Sequence, residues 1–269
     1  MSDAAETPSR SRPLAIVTGA SAGIGVELAR LAAADGYRPL LVARRRERLE
    51  GVARELDAAH GCGARVAAVD LTDRDGPGRV LEAAGSEPIA MLVNNAGFAT
   101  FGPFAETEIE RTTDLIDLNV TALTRLTHLV LGPMIEADAG YIMNVASTAA
   151  FMPGPGMATY YASKAYVLHF TEALAHELRG TGIRVSACCP GPTRTEFHDV
   201  ADMTDSPLLD RLSWMSAEEV AERGYRGLLA GRPVVVTGGL NKLTTWAPRW
   251  LPRRWVTRLV GRIQMTRGR

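Results

Sequence analysis

A doubly wound α/β domain, with a seven-stranded parallel sheet flanked by helices on both faces, is the fold class this sequence predicts. From residue 13 to 238, apolar runs alternate with stretches of helical periodicity, without a break that reads as a linker. The first run, Leu14-Ala15-Ile16-Val17, is continuously apolar, as suits a buried parallel strand, and it breaks into a glycine-rich turn that opens a helix.

The turn is Thr18-Gly19-Ala20-Ser21-Ala22-Gly23-Ile24-Gly25, and its helix extends to Gly36. Glycines there let the backbone approach a pyrophosphate, whose charge is met by amides at the helix start. Gly19, Ser21, Gly23, Ile24 and Gly25 are therefore candidate cofactor contacts. Their spacing, Gly-x-x-x-Gly-x-Gly, differs from the commonest dinucleotide fingerprint, Gly-x-Gly-x-x-Gly. The second strand, Arg38 to Ala43 with its apolar part Leu40–Ala43, ends in Arg44-Arg45-Arg46, with no carboxylate before Glu47. An acid at that point would accept from both ribose hydroxyls, whereas an arginine pairs with a 2′-phosphate. NADP(H) is the expected cofactor, with Arg44 as the clamp and Arg45 beside it.

The remaining expected strands are Arg65–Val69, Ala90–Val93, Tyr141–Val145, Arg184–Cys188 and Val234–Thr237. Long helices are expected over Glu106–Glu136 and Ala158–Arg179. Residues 1–12 read as a polar leader, 13–241 as a single catalytic domain and 242–269 as a basic amphipathic extension. A hydrophobic content of 46% with 22% charged residues suits a globular protein. The first dozen residues carry no secretory pattern, and no apolar run is long enough to span a bilayer. Cys62, Cys188 and Cys189 form neither a metal-spaced set nor a disulfide framework, so a reducing cytoplasm is the expected compartment. The five histidines give no zinc signature, and no metal is expected.

Chemistry is concentrated in Ser147 and in Tyr160-Tyr161-Ala162-Ser163-Lys164. Residues four apart on a helix share a face, so Tyr160 and Lys164 are neighbours across one turn. A free tyrosine ionises near pH 10, and a cation beside it would bring that value toward neutrality, where proton transfer works in both directions. Tyr161 points about 100° further round and reads as a packing residue. Asn119 lies within the apolar run Leu115 to Leu123, where a poor helix former needs a cap, a kink or a job.

Taken together, Thr18 to Gly25, Asn94-Asn95-Ala96-Gly97, Asn119, Ser147, Tyr160, Lys164 and Pro190-Gly191-Pro192-Thr193 resemble the short-chain dehydrogenase/reductase family over roughly residues 13 to 238. The resemblance implies a Rossmann-type fold and an oxidoreductase that interconverts carbonyl and alcohol. It implies that Tyr160 is the general acid/base and that Lys164 depresses its pKa and binds the nicotinamide ribose. Ser147 would hold the substrate oxygen, and Asn119 a water linked to Lys164. It further implies cofactor contacts at Asp70, Leu71, Asn95, Ala96 and Gly97, with Gly97 giving backbone access to the adenine side. In the loop Pro190, Gly191, Thr193 and Thr195, either threonine would supply the hydroxyl to the nicotinamide amide. Homo-oligomers formed through the long helices are also implied. An arginine directly after the second strand matches the NADP-using members.

Phe98, Phe101, Phe151, Met152, Met157, Phe197, Met203, Trp214 and Met215 are expected near the carboxyl ends of the strands, where doubly wound sheets bind ligands. They predict a bulky apolar ketone or alcohol, with packing of a lid as the competing explanation. A cofactor-binding sensor without turnover is the alternative function. Residues 242–269 hold eight Lys/Arg and no acid, so the net charge of zero conceals an acidic body. Trp255, Val256, Leu259, Val260 and Ile263 recur there at helical spacing beside Arg254, Arg258 and Arg262. Docking on the body or a sister subunit is favoured over contact with anionic lipid. The acidic body and the lack of a recognisable module argue against nucleic acid.

Overall fold

The computed structural model describes residues 12–194 and 214–265. Seven strands, β1 (Leu14–Thr18), β2 (Arg38–Ala43), β3 (Arg65–Ala68), β4 (Ile89–Asn94), β5 (Gly140–Val145), β6 (Ile183–Cys189) and β7 (Val234–Val236), form one sheet in the order β3-β2-β1-β4-β5-β6-β7. Every neighbouring pair is parallel. The helices are α1 (Ile24–Ala34), α2 (Arg46–His60), α3 (Gly76–Ala84), α4 (Ile109–Ile116), α5 (Leu123–Glu136), α6 (Ala158–Glu177), α7 (Ala217–Leu229), α8 (Gly239–Trp246) and α9 (Arg253–Met265).

Alternation along β1 shows how the sheet is covered. Ala15 and Val17 pack with Leu28 of α1, Leu49 and Leu56 of α2 and Leu228 of α7. Leu14 and Ile16 turn to the other face and join Val80 of α3, Val130 and Met134 of α5 and Leu174 of α6. All of β1 is buried, which accounts for its unbroken apolar sequence. The strand order reverses between β1 and β4, and a crevice at such a reversal, beyond the carboxyl ends of the strands, is where open α/β sheets hold ligands.

The expected long helix of residues 106–136 contains a defect. Between α4 and α5 the backbone forms a π-helical stretch, Asp117–Ala122, centred on Asn119. Such stretches mark functional sites because the extra residue re-aims a side chain.

Candidate active site

Ser147 follows β5 and caps a short 3₁₀ turn, Thr148–Phe151, its Oγ accepting from the Ala149 amide at 3.1 Å. Tyr160 and Lys164 both lie on α6 and are buried. The Tyr160 phenol shares a hydrogen bond with the Ser147 side chain. Lys164 Nζ donates to the Val145 carbonyl at 2.7 Å and lies 5.9 Å from the centre of the Tyr160 ring. Asn119 is buried within the π-helical stretch, where its Nδ2 donates to the Phe98 carbonyl and Ser163 Oγ and its Oδ1 accepts from the Phe98 amide. Ser163 Oγ in turn donates to the Tyr160 carbonyl at 2.7 Å. Thus the ends of β4 and β5, the π-helical stretch and α6 place a phenol, a hydroxyl, an ammonium and an amide in one cluster.

At the reversal of strand order, the turn after β1 is tightly built. A Cβ on Gly25 would lie 2.3 Å from the Gly19 carbonyl oxygen and 2.6 Å from Asn95 Nδ2, so only glycine fits. Asn95 Nδ2 donates to the carbonyls of Thr18 and Gly19, and Thr18 Oγ1 accepts from the amides of Asn95 and Ala96. No side chain caps α1 at Gly23, where the Val26 and Glu27 amides bond back to the Gly23 carbonyl, so an anion could be met by the amides of Ile24 and Gly25. Arg45 Nη2 donates to Ser21 Oγ at 3.0 Å, while Arg44 pairs with Asp70 at 3.7 Å across the end of β3.

A model of the short chain dehydrogenase family matches residues 13–205. The chain belongs to the short-chain dehydrogenase family. Sulfoacetaldehyde reductase 2 of Chromohalobacter salexigens is 36% identical over 217 residues, 78% of this chain and 85% of that one. Among solved structures, a short-chain dehydrogenase of Sphingobium yanoikuyae in complex with NADPH superposes with a TM-score of 0.80 at 33% identity, covering 88% of this chain and 91% of that one. A variant of the actinorhodin polyketide ketoreductase with NADPH gives a TM-score of 0.74 at 31% identity, covering 85% and 96%.

In this short-chain dehydrogenase the residues present fit a phosphorylated dinucleotide: an uncapped helix start, a turn that tolerates no side chain, and two arginines at its rim. Burial would raise the Asp70 carboxyl, but the Thr72 amide and hydroxyl and the Arg44 guanidinium outweigh it and hold the group below its ordinary value. In the chain alone, burial pushes the Tyr160 phenol up to about 12, and the hydrogen bond with Ser147 offsets part of that. The cation bonds to Val145 and lies over the Tyr160 ring. Burial lowers Lys164 itself to about 8.

Gly97 also has a packing reason. A Cβ there would meet Asn119 Oδ1 at 2.8 Å and Lys164 Nζ at 3.5 Å, so its lack of a side chain lets those two groups close ranks. Thr193 is buried, bridges to Met215 and donates to the Gly191 carbonyl at 2.9 Å. Thr195, Phe197 and Met203 lie outside the described residues. Of the expected pocket residues, Met215 belongs to the core beside β5 and β6, and Phe151 packs on the cluster of Leu123, Ala146, Ala150, Val167 and Leu168. Phe98 and Met157 pack with Ala99, Leu115, Ala149 and Tyr160 itself, forming the apolar wall of the site.

Sequence reasoning missed a polar ladder through the core. Asn94 Nδ2 donates to Thr127 Oγ1 and to Asn144 Oδ1, and Asn144 Nδ2 donates to Thr171 Oγ1. It ties α5, β4, β5 and α6 together directly beneath the cluster. The signal was available: an asparagine at the end of each of two otherwise apolar strands, paired in register. Ser163, which couples Asn119 to Tyr160, had no such signal.

Proposed function

We propose that this short-chain dehydrogenase uses NADPH to reduce a bulky apolar carbonyl compound, of 3-oxoacyl, steroid-like or aromatic type, with Tyr160 as proton donor. The observation that carries the reading is the Tyr160 phenol, bonded to Ser147 and kept protonated by burial in an apolar wall. The NADPH named with the Sphingobium and ketoreductase structures supports the cofactor, and the polyketide ketoreductase supports the substrate class. When bound, the nicotinamide supplies the hydride. Ser147 holds the carbonyl oxygen, Tyr160 delivers its proton to that oxygen, and Lys164 binds the ribose and stabilises the phenolate that results. Asn119 and Ser163 position the start of α6. Phe98 and Met157 exclude water from the reacting carbon and favour apolar substituents on it.

An NADPH-depletion assay over aromatic ketones, 3-oxoacyl thioesters, sulfoacetaldehyde and small sugars tests the substrate class. Turnover of the first two groups is expected, and turnover confined to the small polar compounds overturns the proposal. For the cofactor, changing both Arg44 and Arg45 to aspartate is expected to lower kcat/KM for NADPH by at least about 100-fold, since each charge-assisted bond to a phosphate is worth about 1.5–3 kcal/mol. The value for NADH should hold or rise; an equal loss with both cofactors removes the clamp. Homo-oligomer formation in the cytoplasm belongs to the same proposal. Ile109, Ile116, Leu129, Ile135 and Tyr166 leave apolar surface exposed on α4, the π-helical stretch's flank, α5 and α6, as helices docked across a two-fold axis would require. Light scattering measures the state.

A further inference from the structure

The C-terminal segment resolves into two sides with different fates. Val256 of α9 is buried, Gly261 lies against Pro155, and Gln264 Nε2 donates to the Tyr161 hydroxyl at 2.5 Å. That side seats α9 on the loop and helix that carry Tyr160. The flank beside it is apolar and exposed. Leu251, Trp255, Leu259 and Ile263 follow at helical spacing and are all exposed, with Trp255 at 55%. Trp246 at 55% and Trp250 at 74% extend the stripe back to α8, their rings 5.7 Å apart. Arg254, Arg258 and Arg262 form the adjacent stripe, and no acid occurs between residues 242 and 269.

From this we infer that α8 and α9 form a docking face for an anionic lipid surface. Three observations choose that occupant. Tryptophans and leucines exposed beside arginines give the combination that an interfacial helix buries: apolar side chains at the acyl boundary and cations at the phosphates. Among the described residues no helix is long and apolar enough to cross a membrane, so the contact is peripheral. A cavity of about 300 Å³ lined by Arg223, Arg226, Arg232, Lys242 and the start of α8 offers a cationic seat for a headgroup phosphate. Lys242 and Trp246 are four residues apart on α8, so the cavity opens on the side where the apolar stripe begins. The acidic body would be repelled by the same surface, which orients the protein with this face down.

Sedimentation of the full chain with lipid vesicles tests the inference. Vesicles of phosphatidylcholine with phosphatidylglycerol should carry the protein down, and phosphatidylcholine alone should bind at least about tenfold more weakly, as expected where each cation near the surface contributes. Arg254→Glu with Arg258→Glu, and separately Arg223→Glu with Lys242→Glu, should each cost at least about tenfold on the anionic vesicles. Trp250→Ser with Trp255→Ser should weaken binding to both compositions. All six positions are exposed, and circular dichroism should show each variant folded. Failure to bind anionic vesicles, or undiminished binding by the folded variants, overturns the inference. A Trp250/Trp255 variant that instead lowers the oligomeric state shows a second copy on this face and overturns it as well.

Discussion

Tyr160→Phe is expected to reduce turnover about 1000-fold, within the range that a positioned proton donor contributes, while leaving NADPH affinity within about threefold. The isosteric ring keeps its place in the wall formed with Ala99, Leu115, Ala149 and Met157, and keeps the edge-on contact with Tyr161 at 6.1 Å. Only the hydroxyl is lost. Ser147 retains the bond from the Ala149 amide, so no hydroxyl is stranded and stability should change little. Because burial holds the phenol near 12, it is protonated throughout the neutral range and reduction should not depend on its ionisation there. Alcohol oxidation needs the phenolate and should accelerate as the pH rises. Steady-state rates in both directions, with a fluorescence titration of NADPH, check all of this. A phenylalanine variant that keeps most of its rate shows that another group supplies the proton.

What the sequence makes legible follows from what a single chain dictates locally. Continuous apolar runs bounded by turns locate all seven strands to within a residue or two, because a buried parallel strand admits no polar alternation. Asn119 is visible as an anomaly for the same reason, and the structure answers it with a π-helical stretch. Tyr160 and Lys164 share a face because helical geometry requires it, but the electrostatics between them depends on where Nζ finds its acceptor. That acceptor is the Val145 carbonyl, nineteen residues earlier in the chain, and no local pattern announces it. Burial shifts are equally non-local, since they are set by everything that packs on the group. The same holds for the pocket: Phe98 and Phe151 look alike as loop aromatics, yet one packs on the cluster that holds Tyr160 and the other on that of Leu123, Ala146 and Val167. The two faces of α9 were legible as a periodicity, whereas the choice of which face meets the body rests on Pro155 and Tyr161.

Lys164→Met should remove activity without destabilising the fold. In the folded chain the ammonium's pKa falls from 10.5 to about 8 because burial disfavours the charge. Below pH 8 the group is nonetheless protonated, so the fold carries a cost on the order of 3 kcal/mol. Between about 8 and 10.5 the unfolded chain binds more protons than the folded one, and wild-type stability should therefore rise with pH across that window. Methionine fills the same space without charge but forfeits the bond to Val145, which returns about 1–3 kcal/mol of the gain. A net stabilisation of about 0–2 kcal/mol near neutrality is expected, leaving Tm unchanged or raising it by a few degrees, and its pH dependence should be flatter than that of the wild type. Catalysis moves the other way, because the proposed ribose ligand and phenolate partner is gone. In the wild type, kcat/KM for NADPH, which reports groups of the free enzyme, should fall above about pH 8 as the ammonium deprotonates. Thermal unfolding of both proteins from pH 7 to 10.5, which spans the shift, supplies the measurement. A methionine variant that melts well below the wild type at pH 7 would show that the ammonium stabilises the fold, and that its role at the site carries no cost in stability.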